Sequence, residues 1–211
     1  FRFVRVLRPE TWETDVPAPL TVSHADVQDG EYLFAINGRA LGAADDVYAR
    51  LAKLAGKQVL LTVGCRADRG AARDIQIETL SDERELRYRD WCRRNREYVA
   101  QKTGGRIGYF PVPDMGGKGL AAFIRGFYPQ INTDGLIVDA RYNGGGFVSQ
   151  MIIARLARRL VGYDRPRRGQ MLTYPDRVHE GYKVVLVNEH AGSDGDMFPA
   201  AFQTLGLGPV I

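Results

Sequence analysis

The pattern of apolar and polar positions changes character twice along the chain. Before residue 80 the apolar runs are short and β-like, as in "EYLFAING" and "KQVLLTVGC". Between them, "ADDVYARLAKLAG" sets Val47, Leu51 and Leu54 at helical spacing, with Gly56 where a C-terminal cap belongs. The Asn37-Gly38 pair predicts a tight turn. Residues 1–80 therefore read as a small β-rich domain with one capping helix. Residues 81–103, "SDERELRYRDWCRRNREYVAQKT", are highly charged and interleave Arg with Glu. They predict a solvated helix linking two domains, with Leu86, Trp91 and Tyr98 on its packed side. Ser81 followed by Arg84 and Glu85 is only a loose capping signal.

After residue 104 the pattern becomes strand, loop, helix. "RIGYFPVP" is an apolar strand followed by a Gly-rich turn and the helical "LAAFIRGFY". "GLIVDA" is a continuous apolar strand of the kind buried in parallel sheets. It leads into "RYNGGG" and the helix "FVSQMIIARLARRLVG". "YKVVLVNE" leads into "HAGSDG" and the helix "DMFPAAFQTLG", which Gly206 can cap. Successive strand–helix units predict a mostly parallel sheet with right-handed crossovers. The fold class is α/β, with residues 81–211 forming the linker helix and this second domain.

Composition narrows the partners. Of 211 residues 45% are hydrophobic, which suits packed domains and excludes disorder. A formal charge of +4, from 29 Lys+Arg and 25 Asp+Glu, is mild and interspersed. A nucleic-acid binder concentrates its basic residues, so no nucleic-acid partner is expected. The nearest approach to a basic patch is Arg155, Arg158, Arg159, Arg165, Arg167 and Arg168. It reads either as a contact for peptide carboxylates or a subunit, or as a solvated helix face and loop. Cys65 and Cys92 form no CxxC pair, so no metal, cofactor or disulfide is signalled, and reduced thiols suit a cytoplasmic protein. No run is long and apolar enough to span a bilayer, and "FRFVRVLRPE" lacks the features of a signal peptide. No initiator Met is present and the chain stops abruptly at "LGLGPVI", so both ends are expected to be cut from something longer.

In parallel α/β sheets, sites gather at the carboxyl ends of strands. Two loops stand there, residues 143–146 and 192–196. Ser193 lies between strand and helix, a position that exposes Oγ above the unpaired N–H groups of a helix start. Attack by a serine on a carbonyl creates an oxyanion that needs such donors. The N–H of Asp194 is one candidate, and Gly192 and Gly195 admit substrate backbone. The alternative is an N-cap in an ordinary turn, and Ser193 taken alone favours it. The surroundings are also not the G-x-S-x-G elbow. Gly144, Gly145 and Gly146 can aim N–H groups at a carboxylate, phosphate or oxyanion. No P-loop or G-x-G-x-x-G spacing accompanies them. Together the two loops fit a composite oxyanion hole better than either alone. Asp139, Arg141 and Asn143 are read as organising the glycine loop through side-chain to backbone bonds. No base emerges. His190 reads as a bystander, His179 as a surface-loop residue, and His24 belongs to the β-rich domain.

"GLIVDARYNGGGFVSQMII" and "VNEHAGSDGDMF" closely resemble the tricorn core proteases, relatives of the C-terminal processing peptidases. "RIGYFPVPDMGGKGLAAF" and "VGYDRPRRG" are similar too, and "VQDGEYLFAINGRAL" resembles that family's PDZ-like domain. The resemblance implies a PDZ-like domain over 1–80 and an incomplete serine peptidase domain over 81–211. It implies Ser193 as nucleophile, the N–H groups of Gly146 and Asp194 as oxyanion hole, and Gly144, Gly145 and Asp164 as substrate-binding. Asp164 would select a basic P1 side chain from a neighbouring subunit. It implies oligopeptide substrates and a cytoplasmic homo-oligomer, a hexamer. The family's catalytic histidine, glutamate and second serine match nothing in these residues, so the chain alone is expected to be inactive. The competing reading is a non-catalytic peptide-binding or assembly module using the PDZ-like part.

Overall fold

A computed structural model describes residues 1–211. The chain divides into two compact units, Phe1–Trp91 and Cys92–Ile211.

The first unit is an antiparallel sheet of β1 (Tyr32–Ile36), β2 (Arg39–Ala40), β3 (Gln58–Gly64) and β4 (Ala72–Glu78), in the order β2-β1-β3-β4. Alternating residues of β3 and β4 (Val59, Leu61, Val63, Ile75 and Ile77) enter one core with Val27, Leu33 and Ile36. Asn37 and Gly38, both at positive φ (49° and 73°), make the expected turn between β1 and β2. The helix after it, α1 (Val47–Leu51), is shorter than the periodicity predicts. Asp46 caps it, accepting the N–H of Tyr48, but Ala52 is already extended and Lys53 left-handed. Gly56 does not cap α1. Its N–H goes to the carbonyl of Thr79, which turns the chain into β3. Leu54 still packs on the core with Val47 and Leu51, so the spacing reported burial and overstated helix length.

The long helix α2 (Arg84–Thr103) appears where expected, and the division between the units falls within it. Asp82, not Ser81, receives the N–H of Arg84 at its start. Leu86 is buried, whereas Tyr98 is 61% exposed. Twelve residues at about 100° each put Tyr98 roughly 120° round from Leu86, off the buried stripe.

The second unit has a parallel sheet of β5 (Ile107–Pro111), β6 (Gly135–Asp139) and β9 (Tyr182–Leu186), in that order. Pro111 and Leu186 both pair with Asp139, so the three carboxyl ends lie level. The crossovers hold α3 (Gly117–Phe127), α4 (Ser149–Leu156) and, after β9, α5 (Asp194–Thr204). Phe110, Phe123, Phe127, Leu136, Val138, Ile152, Leu156, Val185, Phe198 and Phe202 make one core from sheet and helices. Gly206, at φ 62°, ends α5 as predicted. The helix α4 is half its expected length. Of the arginines counted on its face only Arg155 is helical, and Arg158 instead donates to the carbonyl of Asp176. The chain beyond it forms an antiparallel hairpin, β7 (Gly162–Asp164) and β8 (Leu172–Tyr174), which periodicity did not reveal. Three-residue strands are too short to show alternation.

Candidate active site

Ser193 stands at the N-cap of α5 with φ 54° and ψ −126°. A non-glycine residue at such angles costs on the order of 1–3 kcal/mol and persists only where its surroundings impose it. Its side chain makes no capping hydrogen bond and it is solvent-exposed. The N-cap alternative therefore does not describe its hydroxyl. The G-x-S-x-G spacing is missing, yet the backbone makes the same kind of sharp, strained strand-to-helix turn that lifts a serine above a sheet. The carbonyl of Ser193 accepts the N–H groups of Asp196 and Met197 at 3.0 and 3.2 Å. The N–H of Asp194, in the first helical turn, has no acceptor within the chain.

The glycine loop is fastened from below by Asn143, which is 0% exposed. Its Nδ2 donates to the carbonyl of Val112 at 2.8 Å, and its Oδ1 accepts the N–H of Gly145 at 2.9 Å. Its carbonyl accepts the N–H of Gly192 at 3.0 Å. One side chain and one peptide thus join the loop after β5, the glycine loop and the approach to Ser193. A methyl on Gly195 would sit 2.2 Å from the carbonyl oxygen of Asn143, so α5 can start this close only with glycine there. A methyl on Gly145 would sit 2.8 Å from Cβ of Ser193, which sets Gly145 flush against the serine. Gly146 has φ 148° and a methyl there would meet the Met115 carbonyl oxygen at 2.0 Å. Met115 pins the loop on both sides, donating to the Gly145 carbonyl at 2.8 Å and accepting the N–H of Phe147 at 2.7 Å. Of the three glycines, Gly145 spends its N–H on Asn143, while those of Gly144 and Gly146 have no acceptor within the chain.

Two further contacts hold the arrangement. The Asp194 carboxylate accepts both the N–H and the hydroxyl of Ser149, tying the first turns of α4 and α5 together. Only the main chain of Asp194 drew notice in the sequence. Its partner lies 45 residues away, a separation at which no local spacing rule operates. Asp139, 1% exposed, accepts the Tyr109 hydroxyl at 2.6 Å and two guanidinium bonds from Arg141 at 2.9 and 2.6 Å. The bond to Asp139 holds Arg141 above its ordinary pKa, while burial and then the Asp139 charge push the Tyr109 phenol far up. The buried carboxylate is thus surrounded by matching donors. The side-chain to backbone support expected of this run is present, with Asn143 carrying most of it.

No histidine is hydrogen-bonded to Ser193. His190 stacks on Tyr142, with ring centroids 5.3 Å apart, and its Nε2 lies 3.6 Å from Glu189. His24, in the antiparallel unit, bonds the carbonyl of Gln76. His179 is not a surface-loop residue: it is 2% exposed, with Nε2 3.0 Å from the carbonyl of Thr133 and Nδ1 without a partner. Burial, then the nearby Lys183, lowers its pKa. It precedes β9, so a five-residue strand of about 16 Å separates it from the loops that carry Ser193. Its polar neighbours "PDRVHEG" disguised it, because the segment folds under the amino ends of the strands. Asp164 ends β7 on the exposed hairpin, paired with Leu172, and its side chain has no ion-pair or hydrogen-bond partner in the chain.

A strained serine at a strand–helix turn faces a glycine loop with uncommitted N–H groups, an arrangement chemically able to support a nucleophile and to bind an oxyanion. Sequence comparison defines the class. The model of peptidase family S41 matches residues 106–211, half of the chain, and that of the tricorn protease PDZ domain matches residues 1–82. The chain belongs to peptidase family S41. Its likeness within the family is to the tricorn proteases. It is 44% identical over 176 residues to the tricorn protease of Thermoplasma acidophilum, covering 83% of this chain and 16% of that protein. It is 40% identical over 211 residues to tricorn protease homolog 1 of Streptomyces coelicolor, covering 100% of this chain and 20% of that protein. A crystal structure of the tricorn protease superposes with a TM-score of 0.82 at 38% identity, covering 98% of this chain and 20% of that one. The chain spans a fifth or less of the length of these relatives. No helix is long and apolar enough to cross a membrane.

Proposed function

We propose that this chain carries the nucleophile half of a tricorn-type serine peptidase that degrades oligopeptides. In this reading residues 1–80 are a PDZ-like domain and 81–211 the linker helix with part of the catalytic domain. Ser193 Oγ attacks the scissile carbonyl, the N–H groups of Gly146 and Asp194 receive the oxyanion, and an acyl-enzyme follows. Gly144 and Gly145 border the bound peptide. The observation that carries the reading is the strained Ser193 backbone with Gly145 flush against it. The loops that impose this backbone are fastened by Asn143 and Met115.

None of the three histidines is hydrogen-bonded to Ser193, and the proposal places the base in another part of the full-length protein. The reading extends to a basic P1 preference set by Asp164 of a neighbouring copy. The position of Asp164 on an exposed hairpin, flanked by exposed Tyr163, Leu172 and Tyr174, supports that. A cytoplasmic homo-oligomer, a hexamer, follows from the likeness to tricorn proteases alone. The test is cleavage of matched peptides with Arg or Ala before the scissile bond by the full-length protein and its Asp164→Ala variant. The proposal expects Arg to be preferred and the preference to collapse in the variant. Equal cleavage of both peptides by the unaltered protein removes the basic P1 assignment, and no cleavage at all removes the peptidase reading.

A further inference from the structure

The exposed apolar side chains of the second unit fall mostly into two groups. One is the hairpin already discussed. The other borders the loops around Ser193, and its extreme member is Phe147, 96% exposed. The ring touches no other ring or cation in the chain, unlike Tyr142 at the other end of the same loop, which spends one face on His190. The main chain beneath Phe147 is held in place: its N–H is bonded to the Met115 carbonyl, and the next residue, Val148, donates to the same carbonyl. It directly follows Gly146. Met151, 59% exposed, stands four residues along in the first turn of α4.

Distances place this pair beside the reacting bond. Gly145 touches Ser193, and Phe147 lies two residues on, within about 8 Å of Gly145 at full extension. Residues of an extended peptide are about 3.3 Å apart, so a side chain next to the scissile bond falls within reach of the Phe147 ring. An exposed aromatic ring on a held main chain, with an exposed flexible thioether four residues along, suits an aliphatic or aromatic side chain of variable shape.

Resting on the peptidase reading, we propose that Phe147, backed by Met151, is a specificity-determining subsite that takes an apolar side chain flanking the scissile bond of the peptide. The occupant is the substrate itself. The ring is tethered to the residue whose N–H faces the oxyanion, so a peptide bound there lies alongside it.

The test uses the full-length protein and internally quenched peptides with one fixed residue before the scissile bond. The flanking position on each side is in turn Leu or Gly. For one of the two positions, Phe147→Ala is expected to reduce the Leu-over-Gly ratio of kcat/KM by roughly tenfold. The loss should lie mainly in KM, and Phe147→Leu should recover most of it. Ratios unchanged at both positions, with Ser193 still labelled by an active-site phosphonate, overturn the subsite alone. Loss of labelling in Phe147→Ala shows that the ring supports the site's folding, and also overturns it. An unaltered protein that neither cleaves nor labels fails the peptidase reading and takes this inference with it.

Discussion

The chain uses Asn followed by Gly twice, at Asn37-Gly38 and at Asn143-Gly144, and the two places behave differently. In the hairpin, Asn37 donates its N–H to the Leu60 carbonyl and accepts the Leu60 N–H on Oδ1. Both bonds go to one residue of the neighbouring strand, and a methyl on Gly38 would meet nothing within 4 Å. The turn closes on itself. In the second unit, Asn143 reaches three segments, and Gly145 and Gly146 press against Ser193 and Met115 while N–H groups stay uncommitted. The dipeptide specifies a turn in both. What sets the second turn apart is its neighbours from the loops after β5 and β9, close enough to forbid any side chain.

Mutations at matched positions sharpen this contrast. Gly146→Ala should have the largest effect, about 3–5 kcal/mol of stability, since its methyl overlaps the Met115 carbonyl and its φ is positive. Displacing one oxyanion donor should also lower turnover of the full-length protein by roughly 100-fold or more. Denaturant unfolding with peptide turnover measures both, and a fully active Gly146→Ala protein would break the comparison. Asn143→Ala comes next, at about 2–4 kcal/mol, because it orphans the buried Val112 carbonyl and frees the glycine loop. Turnover should fall with stability there, whereas Asn37→Ala should cost about 1 kcal/mol and leave turnover alone.

His179 provides a buried polar residue of the same unit far from the loops. Its folded-state pKa lies below the ordinary 6.5. The unfolded chain therefore binds the proton first, and stability is lost as pH falls through about 6.5 and below. Melting followed from pH 7.5 to 5.5 should show a decline of a few degrees that is reduced in His179→Gln. Gly38→Ala is expected to have the smallest effect, about 1 kcal/mol from its positive φ, with no change in turnover.

Much of this was legible in order along the chain. Apolar runs marked the strands of both units, and the glycine-rich ends of β6 and β9 marked the site loops. Residues acting across long separations were not legible. Ser149 and Asp194, or Asn143 and Val112, are joined by crossovers that no periodicity encodes. The geometry of Ser193 was hidden for a different reason. Without the usual spacing, its φ is imposed by packing from Gly145 and Asn143, and only the folded chain displays that. Helix lengths were overstated in α1, where apolar spacing continues into a turn that still packs on the core, and in α4, where it continues past Leu156 into residues that leave the core.

The central claim is that the turn at Ser193 is an activated nucleophile and the turn at Asn37 is only a turn. Reaction of the full-length protein with an arginine-bearing diphenyl phosphonate, followed by mass spectrometric location of the adduct, tests it most directly. An adduct on Ser193, none in Ser193→Ala and a greatly slowed reaction in Gly146→Ala are expected. An intact full-length protein left unlabelled at Ser193, or labelled on another serine, would contradict it.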